Sequence, residues 1–305
     1  MSAPFFPSVV DSSMLASYKS CPTLFRYQYL EGWTGRDPSP HLHAGGAFAH
    51  ALEATRRAFY VDGQTAEVAI TLGADALREF WGDYTPPAYV AKTLDRMLGA
   101  FTFYWANYPL NHEDFTPIVL PSGRRGIEFS FAHPLPIAHP VTGDPIIYCG
   151  RMDAIVNFAG TVYIVDEKTT SSLGPTWSRQ WDLRSQFTGY AWGCRQAGVP
   201  VAGTIVRGVS ILKTQYGTAQ AVIYSPEWQV DRWYEELLER VEAMLHDWQR
   251  GRWLHNLDHS CADYGGCSFR EPCSTQNPRG VLETLYKRAR WNPLTRTTLD
   301  VVGED

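Results

Sequence analysis

Basic residues are in short supply. Of 305 residues, 27 are lysine or arginine against 32 aspartates and glutamates, a formal net charge of -5. This excludes a protein that holds nucleic acid through its overall charge, and leaves local patches as the only route to such binding. The N-terminus, MSAPFFPSVVDSS, lacks the basic start and apolar run of a leader, and no apolar stretch approaches membrane-spanning length. A soluble, cytoplasmic protein with no membrane partner is therefore expected. Internal repeats and low-complexity segments are missing, as are CxxC pairs, although there are six cysteines. In a reducing compartment those cysteines read as thiols, metal ligands or core residues before disulfides.

Apolar material is ample, with 44% hydrophobic and 13% aromatic residues. The chain reads as one unit, 1–305, in three zones. To about residue 110 the period is helical, with a start at Asp11, Ser12 and Ser13, a break at Cys21-Pro22, and helices near 44–61, 65–83 and 88–107. From about 120 to 225 the period changes to that of strands, near 125–132, 145–158, 161–169, 202–213 and 219–225, with one helix at about 178–197. From about 226 to 305 come a long amphipathic helix to about Arg250, a Cys-rich loop and a short basic helix near 280–290. Stretches 35–40, 84–87 and 134–140 read as proline-containing loops. The implied class is α/β, a central mixed sheet flanked by helices.

Within the strand zone, IIYCGRMDAIVNF and TVYIVDEKTT are joined around Ala159-Gly160, a short turn whose glycine tolerates positive φ. A hairpin centred there pairs residues whose numbers sum to 319, so that Asp153 faces Asp166. Like charges so opposed destabilise a sheet, and something positive must sit between them. Alternation puts Lys168 on the face of Asp166 and Glu167 on the other. Two carboxylates and an ammonium suit a divalent cation such as Mg²⁺, with the lysine beside a nucleophilic water. A surface pair at a strand end is the plain alternative. Against it, Lys168 alone among five lysines has an acid two residues before it.

Asp153 followed by the Asp166-Glu167-Lys168 run resembles the signature of the PD-(D/E)XK nuclease superfamily, most closely its RecB-type branch. That resemblance implies a restriction-endonuclease-like core and metal-dependent hydrolysis of DNA phosphodiesters, at single strands or ends. It implies Mg²⁺ or Mn²⁺ held by Asp153, Asp166, His50 and the Glu167 carbonyl. His50 stands four residues after Gly46 in GGAFAHALE, with Glu53 one turn on, and the small residues around it would let this helix approach the sheet. Gln186 and Tyr190, four apart on one helix face, resemble the branch's Gln-x-x-x-Tyr element and are expected to bind nucleic acid near the metal. Glu128 is a candidate outer residue of the site.

Cys261, Cys267 and Cys273 lie at C-x5-C-x5-C spacing, and Cys21 stands alone before Pro22. Such a cluster favours metal, either zinc or iron-sulfur. The arrangement resembles the staple of AddB-type and CRISPR-associated RecB-like nucleases, which implies a 4Fe-4S cluster on Cys21, Cys261, Cys267 and Cys273. It also implies partners in recombination, CRISPR-related or phage-replication complexes. Cys149 and Cys194 read as packing residues. Arg56, Arg57, Arg124, Arg125, Arg179, Arg184, Lys287, Arg288 and Arg290 are candidate phosphate contacts, and Trp177, Trp181 and Trp291 candidate stacking partners for bases.

Overall fold

The computed structural model describes residues 5–37, 39–262 and 266–296. The first elements are β1 (Val9–Val10), α1 (Ser12–Ser20), α2 (Pro22–Phe25), which continues into a π-helical turn at Arg26–Leu30, and β2 (Trp33–Gly35). Three helices follow: α3 (Pro40–Tyr60), α4 (Ala66–Trp81) and α5 (Leu94–Asn107). Next come β3 (Phe115–Pro117), β4 (Ile127–Ala138), β5 (Pro145–Phe158), β6 (Thr161–Thr170), α6 (Ser185–Gln196), β7 (Gly203–Ile211) and β8 (Tyr216–Tyr224). The last elements are α7 (Glu227–Arg250), α8 (His259–Ala262), α9 (Arg270–Cys273), α10 (Pro278–Leu285) and β9 (Tyr286–Arg288). The described chain divides into two compact units, a larger one of residues 39–131 and 151–230 and a second of residues 5–37, 132–150 and 231–296.

In the larger unit β6 pairs antiparallel with β5 and parallel with β7, and β8 closes the far edge antiparallel to β7. Every residue of β7 is buried, as expected for a central strand covered on both sides. Ser39, Thr65 and Thr93 each cap a helix by accepting a backbone N–H three residues on. Ala44, Ala47, Phe48, Ala51 and Leu52 recur at helical spacing on α3 and bury with Leu77, Trp81, Phe101 and Tyr104. The helices α3 and α4 pack so closely that a Cβ on Gly73 would fall 2.8 Å from the Ala51 carbonyl oxygen, so this position needs glycine. The small-residue face of α3 does approach the sheet: a Cβ on Gly45 would lie 3.8 Å from Thr169 Oγ1.

In the second unit β1 runs parallel to the start of β5, Val9 beside Ile147 and Val10 beside Tyr148. Trp233, Leu237, Val241 and Met244 form the buried stripe of α7, with Trp233 5.3 Å from Tyr148. Residues from the two ends of the described chain are stitched together. The Thr23 N–H donates to the Leu254 carbonyl at 3.1 Å and Asn256 Nδ2 to the Ser20 carbonyl at 2.9 Å, while β2 pairs with β9.

Four boundaries differ from the sequence reading. The helix expected over 88–107 starts only at Leu94, where Thr93 supplies the cap. The one expected over 178–197 starts at Ser185. The basic segment 280–290 is helical only to Leu285 and then becomes strand β9. Stretch 134–140, read as a loop, extends β4 to Ala138: Leu135 and Ile137 are buried while Pro134 and Pro136 face outward, the placement a strand permits to residues without an N–H.

Candidate active site

The β5–β6 hairpin turns at Ala159 and Gly160, both with positive φ, 50° and 84°. This is the primed two-residue turn that matches strand twist. Pairing runs from Phe158 opposite Thr161 to Ala154 opposite Val165, and every pair sums to 319. Asp153 and Asp166 come next. Asp153 Oδ2 accepts the Glu167 N–H at 2.8 Å. Lys168 Nζ lies 2.5 Å from Asp166 Oδ1 and 2.8 Å from Oδ2.

Asp166 is only 5% exposed, and its Oδ1 accepts no well-formed hydrogen bond. Burial, then the neighbouring Asp166 charge, then Glu167 drive the Asp153 carboxyl well above the usual carboxylate range. Burial also raises Asp166, against the pull of Lys168. Burial would lower Lys168, but Asp166 and Asp153 outweigh it and hold the ammonium charged. Two buried acids on one edge, with one lysine against them, leave a deficit of positive charge.

Glu167 takes the opposite face, and its side chain is buried with purpose. Arg56 Nη2 donates to Glu167 Oε1 at 2.6 Å and contacts Glu113 Oε1 at 3.2 Å. Arg207 Nη1 meets the same Glu113 oxygen at 2.7 Å, and its other arm holds Asp114. The Tyr104 hydroxyl donates to Glu167 Oε1 at 3.1 Å. Burial pushes Glu167 up, but the Arg56 guanidinium brings it below the usual carboxylate range. The sequence reading missed this network. Its one local signal was Arg207, a charge inside the otherwise uncharged strand GTIVRGVSI.

The same burial corrects three expectations. Arg56, 1% exposed, is a structural ion-pair partner and is withdrawn as a phosphate contact. Trp177 and Trp181 are 6% and 8% exposed and stack edge-on to each other, Trp177 lying over Gly208, so neither can stack on a base. Trp291, by contrast, stays exposed, with its Nε1 donating to Asp11 Oδ2 at 2.9 Å.

At the start of α6, Arg184 is close enough for its charge to act on both Asp166 and Lys168. Gln186 Nε2 donates to the Tyr190 hydroxyl at 2.9 Å, so this pair forms a unit on the helix. His50 is exposed on α3, its ring 5.7 Å from that of Phe80. Among the described residues no three His, Cys, Asp or Glu side chains already form a metal cage, the cysteines included. Glu53 shares a hydrogen bond with Glu128, which sits at φ 53° with Arg151 2.5 Å away. Burial and then Glu53 raise Glu128 to about 7.

All six cysteines are free thiols. Cys149 and Cys194 are buried, at 1% and 0%. The other four converge in the second unit. Burial first, and then the charges of Cys21 and Cys261, raise Cys267, and Cys273 is pushed to about 11 by burial and by all three of the others. Cys21 Sγ approaches the Leu254 carbonyl at 3.8 Å, and the Cys267 N–H donates to the Cys261 carbonyl at 3.0 Å.

A model of the PD-(D/E)XK nuclease superfamily matches residues 12–274, spanning Asp153, Asp166, Lys168 and the four cysteines. The chain belongs to this superfamily. Its reaction class is hydrolysis of phosphodiesters, and nucleases of the superfamily typically use divalent ions such as Mg²⁺. No curated protein matches the chain. Among solved structures it is similar to a candidate exonuclease of Eubacterium rectale, at 13% identity and a TM-score of 0.49 over 83% of this chain and 87% of that one. It is similar also to the protein SSO0001, at 14% identity and a TM-score of 0.27 over 63% and 74%.

Proposed function

We propose that this superfamily member is a Mg²⁺- or Mn²⁺-dependent deoxyribonuclease that hydrolyses phosphodiesters of single strands or DNA ends. The observation that carries the reading is the buried pair Asp153 and Asp166 with Lys168 on the same face. The donor set fits a hard cation, because it is all oxygen and comes from two buried carboxylates whose charge one lysine does not balance. Asp153, Asp166 and the Glu167 carbonyl would hold the ion, which would supply Lewis-acid polarisation of the phosphate and a water of lowered pKa.

The chain's own groups do the rest. The Lys168 ammonium, kept charged by the two acids, orients the attacking water and stabilises negative charge gathering on the phosphoryl oxygens. Arg184, whose charge reaches the same two residues, steers the phosphate toward them. Gln186 and Tyr190, locked to each other, offer polar contacts to the strand.

The test is incubation of purified protein with end-labelled single- and double-stranded DNA and Mn²⁺ or Mg²⁺. Wild type should cut, while Asp166→Ala and Lys168→Ala should lose at least about a hundredfold in rate. Equal behaviour of all three proteins would end the nuclease reading.

The four converging cysteines are proposed to hold a 4Fe-4S cluster as a staple of the second unit. Four thiols near enough for their charges to act on one another, three of them in the segment 261–273, are the ligand type that iron-sulfur and zinc sites use. The purified protein should then be brown, with visible absorption and iron and sulfide in equal amounts. A colourless protein carrying zinc would replace the cluster with a zinc staple.

A further inference from the structure

The second unit contains a cavity of about 350 Å³ bordered by Arg26, Tyr27, Glu31, Arg279, Leu282 and Arg288. Three guanidiniums therefore border one opening. The single carboxylate on its wall is already committed: Glu31 Oε1 accepts from Arg26 Nε at 2.7 Å and Oε2 from Trp33 Nε1 at 3.0 Å. Arg279 has a partner outside the wall, Glu283, at 2.5 Å. Arg288 donates to the Glu31 carbonyl.

Each guanidinium also lies near an aromatic ring, Arg288 the most closely. Arg288 stacks 3.6 Å from the centroid of the Trp33 ring, Arg279 lies 5.7 Å from the same centroid, and Arg26 lies 5.5 Å over Tyr27. Tyr27, Trp33 and Leu282 belong to one buried cluster, so the floor of the cavity is a rigid apolar base. Burial and then the charge of Arg279 hold the Arg288 guanidinium below its usual range. Such a group calls for an anion. Forked, stacked guanidiniums match the tetrahedral oxygens of a phosphate better than they match a halide or a lone carboxylate.

We propose that this cavity binds one phosphate of a nucleic-acid strand, a reading that rests on the nuclease function proposed above. It adds a second point of attachment in the unit that lacks the carboxylate centre. The same chemistry could reach it as an internal phosphodiester or as a terminal phosphate.

The test uses the full-length protein in EDTA, so that nothing is cut, and a labelled dT20 strand with or without a 5′-phosphate. Fluorescence anisotropy over a salt series compares wild type with Arg279→Gln and with Arg26→Gln/Arg279→Gln. The Arg279 side chain is 63% exposed and its change removes only a surface ion pair, so that variant should fold, which circular dichroism checks. The double variant should bind about fivefold to twentyfold more weakly, with a salt slope shallower by about 0.7 for the lost phosphate contact. Loss confined to the phosphorylated strand assigns a terminal phosphate, and equal loss on both strands assigns the backbone.

Arginine modification by p-hydroxyphenylglyoxal, read by mass spectrometry, gives a second view without substitution. The dT20 strand should shield Arg26 and Arg279. Unchanged affinity and slope in the double variant overturn the proposal, as does shielding by polyglutamate but not by dT20, which would make the cavity a dock for an acidic protein segment. Hydrolysis of bis(p-nitrophenyl) phosphate by wild type with Mn²⁺ probes the carboxylate centre alone. If it and DNA cleavage both fail, the nuclease reading falls; if they succeed while the variants bind like wild type, only the second site falls.

Discussion

Asp153 and Lys92 show opposite ways of burying a charge next to the same strand. Asp153 sits against a second acid, so the two carboxylates work against each other. Asp153→Asn should remove nuclease activity and yet melt at or above the wild-type temperature in EDTA, because a repulsive pair has lost one charge. Adding about 5 mM Mg²⁺ should raise the wild-type melting temperature and leave the variant's unchanged, as measured by differential scanning fluorimetry. Lys92 has no acidic partner among the described residues. It is 4% exposed and donates to the Thr169 hydroxyl at 2.8 Å and the Thr169 carbonyl at 3.2 Å, and burial lowers it to about 8 from 10.5. Its folded pKa lies below its unfolded one, so between those values the unfolded chain carries more proton and stability rises with pH. Lys92→Met should flatten that rise: the wild-type-minus-variant difference in urea unfolding free energy should climb between pH 8 and 10.5 and stay level below pH 8.

At the scale of elements, the buried ion network ties α3, α5, β6 and β7 together through Arg56, Tyr104, Glu167 and Arg207. Arg207→Met should cost about 3–5 kcal/mol in chemical denaturation, because Glu113 is left buried with too little positive charge. The added change Glu113→Gln should recover part of that loss, the sign of direct coupling. This network also marks where the sequence stopped being legible. The hairpin could be read because Ala159-Gly160 fixes the register locally, and a period of two then brings Asp153, Asp166 and Lys168 together without further information. Glu167 could not be read in that way. Alternation says only that it points elsewhere, and its partner Arg56 is 111 residues away on a helix whose sequence, ATRRAF, looks like a solvated basic end. Pro134 and Pro136 misled for the opposite reason. Local breaker residues hid an edge strand whose apolar alternation, Leu135 and Ile137, lay between them.

At the scale of the whole molecule, the helices that flank a mixed sheet were visible in the change of period near residue 120, and the structure adds a division into two compact units. Each unit is discontinuous in sequence, so no composition shift marks its edge. The cysteine staple would act at this scale by closing a loop from residue 21 to residues 261–273. Cys21→Ser should lose the visible absorption, and the second unit should unfold at lower denaturant than the larger one. In the entropic model of cross-links a closure of that length is worth at most on the order of 5 kcal/mol. A single unfolding transition at the wild-type midpoint would show that the cysteines carry no staple.

The stitching of residues 20–35 to residues 254–288 also sets a clock. A ribosome adds about 5–20 residues per second, so strand β2 is made roughly 10–50 seconds before β9, its partner. Meanwhile residues 39–230 emerge complete and can fold around the hairpin. Strand β2, made early, is thus late to find its place, and until then Trp33 and Tyr27 wait without the neighbours Phe269 and Tyr286 that help bury them.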